Sequence, residues 1–225
     1  MSEFGVGHVV SQVRLHHITD IISALYFGGI GGVLEDDQYV YRNGTGDHIA
    51  LVWSDDALVA LVFSHESPRS QWALPPDERD AAGFLQELPS ELDSLAERAA
   101  TSVDGLATSG LWSRAGQTML SDELDAGYAH GLEMLKGFGV SAEEALFGDV
   151  LRSNWVERRS LSRRHGEVAL RLVRRIEDRA TAVVSADEED ILLEIPRRSG
   201  NISDDRLQDT VERLAALGIE WEPAD

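Results

Sequence analysis

Two short loops carry the residues best suited to chemistry. The first is Arg42-Asn43-Gly44-Thr45-Gly46-Asp47, and the second is His65-Glu66-Ser67-Pro68. An imidazole beside carboxylates can move a proton near neutral pH, ligate a metal or clamp a polar ligand. Read chemically, Asp47, His65 and Glu66 are catalytic candidates for a hydrolase-like reaction, with Arg42 at the wall as a ligand-binding candidate for an anionic group. Read structurally, Asn-Gly and Gly-Asp are ordinary turn chemistry. Asp47 then caps its own loop, and His65 and Glu66 fix the chain's exit from a strand. The structural reading is preferred at both loops, and the margin is narrowest at His65 and Glu66.

Other signatures are missing. The His-Glu pair lacks the His-Glu-x-x-His spacing of zinc proteases, and no Gly-x-Ser-x-Gly elbow makes Ser67 a nucleophile. The glycines between positions 28 and 32 follow a helix and precede a strand, which reverses the order of a phosphate loop. The acidic run Asp187-Glu188-Glu189-Asp190 lacks the alternation and glycine of a calcium loop. The absence of cysteine removes disulfides, thiolate zinc sites and iron–sulfur clusters. No metal and no cofactor is expected.

The two loops together resemble a pattern in a group of uncharacterised bacterial proteins, which have an Arg-Asn-Gly-x-Gly-Asp loop and later a Phe-x-His-Glu-Ser motif. The likeness covers about residues 25–72. This chain has Thr45 where the group has Ser, and Ser64 where it has Asp. No established activity comes with the group. What the resemblance implies is that the two loops belong together in space.

The elements around the loops support the same juxtaposition. His48–Trp53 and Ala57–Phe63 read as strands joined by the tight Ser54-Asp55-Asp56, a hairpin signal. Ala57–Phe63 is apolar throughout, as in a central strand covered on both faces. Each strand travels about 3.3 Å per residue, so the chain returns nearly as far as it went. Asp47, just before the first strand, is therefore expected beside His65, just after the second.

The remaining pattern is mixed. A helix is expected over about Val9–Phe27, from Val10, Val13, His17, Ile21 and Ala24 at helical spacing. Tyr39-Val40-Tyr41 is a further strand. Helices are expected after Pro76, with Phe84, Leu85 and Leu88, and again after Ser90. Gly110-Leu111-Trp112 and Thr118-Met119-Leu120 are candidate short strands. From Ser121 the pattern is helical, with Leu124, Tyr128, Leu132 and Leu135, then a capping box at Ser141 and Glu144. A long helix is expected over Trp155–Arg179. Strands at Thr181–Ser185 and Ile191–Ile195 would flank an acidic turn at 187–190, and a last helix would run from Ser203 to Gly218. The fold class is α+β: an antiparallel sheet in the first third packed by helices, a helix-rich C-terminal half, and a possible second hairpin there. The chain reads as one domain, 1–225, divisible into a sheet-containing part, 1–120, and a helix-rich part, 121–225.

The 225 residues include 20 basic and 40 acidic ones, a net charge of −20. That field repels nucleic acids and anionic membranes and favours a partner with a basic surface. The arginines of residues 152–179 are interleaved with acidic residues, so nucleic-acid binding there is a weak alternative. No stretch approaches the length of a membrane span, and the first ten residues lack the pattern of a signal peptide. The expectation is a cytoplasmic, non-catalytic binding or interaction protein, with immunity proteins that cover a toxin as one form. The alternative is a hydrolase-like enzyme using Asp47, His65 and Glu66.

Overall fold

The computed structural model describes residues 5–27, 31–123, 126–127, 129–135, 163–194 and 203–223. The chain divides into two compact units: Met1–Val10 with Gly31–Val140, and Ser11–Ile30 with Ser141–Asp225. The fold is α+β. No described helix is long and apolar enough to cross a membrane.

The first unit is built on a six-stranded antiparallel meander. Its strands are β1 (Gly32–Glu35), β2 (Gln38–Arg42), β3 (His48–Trp53), β4 (Ala57–Phe63), β5 (Ser109–Arg114) and β6 (Gln117–Leu120), paired in chain order. Every residue of β3 and β4 is buried, which explains their nearly continuous apolar sequence. The central hairpin pairs as expected, with His48 opposite Phe63 and Trp53 opposite Leu58. On one face Ala50, Val52, Val59, Leu61 and Trp112 pack with Leu95, Ala96 and Ala99 of α2 (Asp93–Ser102).

The second unit takes most of α1 (Val6–Phe27). Ile18, Ile22 and Leu25 pack with Val168, Leu172 and Val173 of α3 (Arg163–Glu177). Leu192 of α4 (Ala186–Leu192), Leu214 of α5 (Asp204–Ala216) and Trp221 complete that core. Ser203 caps α5, and Gly218 turns the chain with φ 78°.

Four expectations change. The helix after Pro76 is reduced to 3₁₀ turns at Pro76–Glu78 and Ala82–Phe84. Asp80 accepts the Gly83 N–H, and Glu87 takes a positive φ, so no longer helix propagates. The helix expected from Ser121 appears, among the described residues, as 126–127 and a 3₁₀ turn at Leu132–Leu135, interrupted by Gly131 at φ 96°. The acidic run 187–190 is not a turn, nor are residues 191–194 of the expected strand 191–195 extended: Ser185 and Glu188 form a capping box that starts α4, and carboxylates suit its first turn; residue 195 lies outside the described residues. Consequently, among the described residues, Ala182–Val183 and 191–194 do not form the expected second hairpin. β7 (Ala182–Val183) instead pairs in parallel with β8 (Ile219–Glu220). Strand β1 was not expected; it is short and follows the glycine cluster. Ser141, Glu144 and residues 155–162 lie outside the described residues.

Candidate functional site

The meander gathers its loops at one end of the sheet. Arg42 ends β2 opposite His48, which starts β3; Phe63 ends β4; and Ser109 starts β5. The loops 43–47, 64–71 and 103–108 therefore share that end.

The first loop is closed by its own side chains. Asn43 Oδ1 accepts the backbone N–H of Thr45 at 2.9 Å and of Asp47 at 3.1 Å, an Asx turn. The Asn43 N–H donates to the Asp47 carbonyl at 3.1 Å. Gly46 is required by two conditions at once: its φ is 111°, and a Cβ there would lie 3.3 Å from the His65 ring.

Asp47 joins the two loops. Its Oδ1 accepts from His65 Nδ1 at 2.8 Å and from the His65 backbone N–H at 2.9 Å. Its Oδ2 accepts from Asn43 Nδ2 at 3.0 Å. Burial pushes the Asp47 carboxyl pKa up, but the hydrogen bonds from His65 and Asn43 outweigh it and hold the group below its ordinary value. The ionised Asp47 is an acceptor only, so His65 donates to it from Nδ1, which leaves Nε2 as the other ring nitrogen. Glu66 Oε1 stands 4.0 Å from that Nε2 on a highly exposed side chain.

The sheet end thus brings Asp47, His65 and Glu66 together. Arg42 turns elsewhere, to an exposed pair with Asp104 at 3.5 Å. Ser67 also turns away from His65. It is buried, with Oγ 2.9 Å from His130 Nδ1, and it accepts the Arg69 N–H at 3.1 Å. Thr108 Oγ1 accepts the Ser64 N–H at 2.9 Å and donates to the His130 carbonyl at 2.7 Å. Ser109 Oγ donates to the same carbonyl at 3.1 Å. Arg69 makes two bonds to Asp122, at 2.7 and 2.9 Å, and these hold the Asp122 pKa down against its burial. Gly131 fits under this network because a Cβ would meet Val62 Cγ1 at 2.9 Å. Sequence reading missed Thr108, Asp122 and His130. No local signal points to them, since they lie 44 to 63 residues from their loop partners.

His48 is buried and stacked on Phe63 with ring centroids 4.8 Å apart. Burial, with help from the charge of Arg42, lowers its pKa and favours the neutral ring. Trp72 lies against the same Phe63, with centroids 6.5 Å apart.

Chemically, this end of the sheet offers an imidazole oriented by Asp47 on a partly exposed side chain, with the Ser67 hydroxyl of the same motif bound to His130 instead. Among the described residues, no group of three His, Asp or Glu side chains is placed to hold a metal ion. In the second unit, Arg171 and Arg175 of the basic helix both bind Glu188, at 2.8 Å each, and Arg164 binds Glu194 at 3.1 Å.

No protein-family model matches the chain, no curated protein is significantly similar to it, and no solved structure matches it.

Proposed function

We propose that the chain is a cytoplasmic, non-catalytic protein-binding protein whose partner presents a basic surface. One observation carries this reading: Asp47, Ser67 and Arg42 are engaged in contacts within and between the loops. Both Asp47 oxygens accept hydrogen bonds from within the two loops, Ser67 is committed to His130, and Arg42 to Asp104. Such a clamp makes a firm edge for recognition. The net charge of −20 adds attraction for a basic partner that weakens with salt.

The test is affinity purification of the full chain from its native cells, followed by reconstitution with the identified partner. The expected result is a stoichiometric complex whose affinity falls as salt rises. Failure to find any partner at moderate salt counts against the reading.

A second reading, a hydrolase, rests on the Asp47–His65 pair. A carboxylate that fixes Nδ1–H leaves Nε2 as a base for water or substrate. It requires turnover of an ester, amide or phosphoester that Asp47→Asn and His65→Gln both abolish while the fold persists. Nucleic-acid binding through the basic helix is the weakest reading, because Arg171 and Arg175 already share Glu188.

A further inference from the structure

We infer that residues 72–80 form the contact surface, and that its occupant is an arginine-bearing segment of a partner protein stacked on Trp72. This inference rests on the binding reading above and specifies its surface.

Every residue from Trp72 to Glu78 is exposed. Trp72 is 69% exposed and Leu74 39%, whereas large apolar side chains of the sheet's central strands are buried. Tryptophan in solvent is the residue type most often found as a binding anchor.

The segment is held, not loose. The Leu74 N–H donates to the Gln71 carbonyl at 2.9 Å, closing a turn around Trp72. Gln71 Oε1 accepts the Asp80 N–H at 2.9 Å, which ties the two ends of the segment together. Arg79 reaches back to the Leu74 carbonyl and across to the Asp104 carbonyl, each at 3.1 Å. The Trp72 ring leans on Phe63. A platform ordered before binding loses less entropy when a partner arrives.

Charge selects the occupant. Within residues 71–80, Asp77, Glu78 and Asp80 supply three carboxylates against the single guanidinium of Arg79. That guanidinium is spent on carbonyl oxygens. The neighbouring Arg69 is spent on Asp122. An exposed indole in the same short, tied segment as three carboxylates and one spent guanidinium suits a planar cation, which can stack on an aromatic ring and hydrogen-bond carboxylate. Anionic lipid and nucleic acid are repelled by the same carboxylates. Lysine is a poorer match because its ammonium is compact and more strongly hydrated.

The test uses the full chain and two short peptides, one with three arginines and one with three lysines at the same positions. The Trp72 indole N–H is followed by NMR, assigned with Trp72→Phe, and affinities are taken at low salt. The arginine peptide should shift that signal and bind more tightly than the lysine peptide. Trp72→Ala, and separately Asp77→Asn with Glu78→Gln, should each weaken it by about tenfold. Asp55→Asn with Glu97→Gln, which removes the same charge elsewhere, should change it less than about twofold. An unmoved indole signal, or equal losses in the site and control pairs, overturns the inference. A stoichiometric partner captured equally by wild type and Trp72→Ala overturns this surface while leaving the binding reading intact. The expected peptide result with no partner captured counts against the binding reading alone.

Discussion

Replacing Asp47 with alanine removes three acceptor roles at once: two bonds from His65, at 2.8 and 2.9 Å, and one from Asn43 at 3.0 Å. Hydrogen bonds to a charged partner contribute about 1.5–3 kcal/mol each where water is excluded. Asp47 is 22% exposed and His65 43%, so water replaces part of what is lost. A net destabilisation of about 2–3 kcal/mol follows once that screening is allowed for. Asp47→Asn should cost less, about 1–2 kcal/mol, because one amide oxygen still accepts while the new amide faces the Asn43 donor. The assay is urea unfolding of each variant, with hydrogen exchange of the His65 amide as the local reading. That amide should lose protection in the alanine variant, because its acceptor is gone. The pH dependence has a fixed sign. The folded-state pKa of Asp47 is depressed, so the clamp is at full strength above the ordinary carboxylate range and is lost as pH falls through the lowered value. A loss below about 0.5 kcal/mol, the usual scale of an inconsequential surface change, with His65 protection unchanged, would refute the clamp.

Three further outcomes are expected. Burial, assisted by the charge of Arg213, lowers the His17 pKa from 6.5 to about 4, so the unfolded chain binds its proton first. Stability should fall by about 3 kcal/mol between pH 6.5 and 4, a slope that His17→Gln should flatten in urea titrations across that range. Glu188 is almost fully buried; burial opposes its ionisation, but bonds from Arg175 and Arg171 bring its pKa down to about 2. Its contribution of about 3 kcal/mol is present above pH 4.5 and lost toward pH 2, so the gap between wild type and Glu188→Gln should close as pH falls. Gly131→Ala combines a φ of 96° with a Cβ 2.9 Å from Val62 Cγ1, and should cost about 2 kcal/mol, read as a lowered melting temperature with an unaltered Asp47–His65 clamp.

The legible parts of this fold are those set by local rules. Strands β3 and β4 could be read because burial on both faces demands unbroken apolar runs, and a tight Ser54-Asp55-Asp56 turn leaves one register. Once that hairpin is accepted, the meeting of Asp47 with His65 is a matter of equal path lengths. The capping box at Ser185 and Glu188 was equally local, and reading the four acidic residues as a turn overlooked it. The lost helix after Pro76 shows the opposite failure. Its acidic first turn was a sound start signal, but Asp80 diverted the Gly83 N–H and Glu87 took a positive φ, although Ala81 and Leu85 are buried in the core. The Ser67–His130 bond spans 63 residues and the Ser64–Thr108 bond 44, and no periodicity encodes such pairings.

This division between local and distant information bears directly on function. An Asp-His pair at a strand end is the same sequence feature in a clamp and in a catalyst, so its presence decides nothing. What separates the two is the third group on the far side of the imidazole. A hydrolase of the serine type needs a hydroxyl within hydrogen-bond reach of His65 Nε2. The hydroxyl that the motif supplies, on Ser67, is drawn instead to His130, a residue whose position is set by Thr108 and Ser109 holding its carbonyl. The distant contacts therefore hold the motif's own hydroxyl, on Ser67, away from the base candidate His65, and they do so with the pairings that local sequence does not specify. Breaking them is the direct way to expose any latent chemistry: Thr108→Val with Ser109→Ala removes both hydroxyls that hold the His130 carbonyl, together with the acceptor of the Ser64 N–H, while the side chains of Asp47 and His65 are unchanged. If the pair is only a clamp, this variant loses stability and gains no hydrolysis of an activated ester above wild type. A gain that His65→Gln then abolishes would show that the imidazole is a competent base held away from its nucleophile.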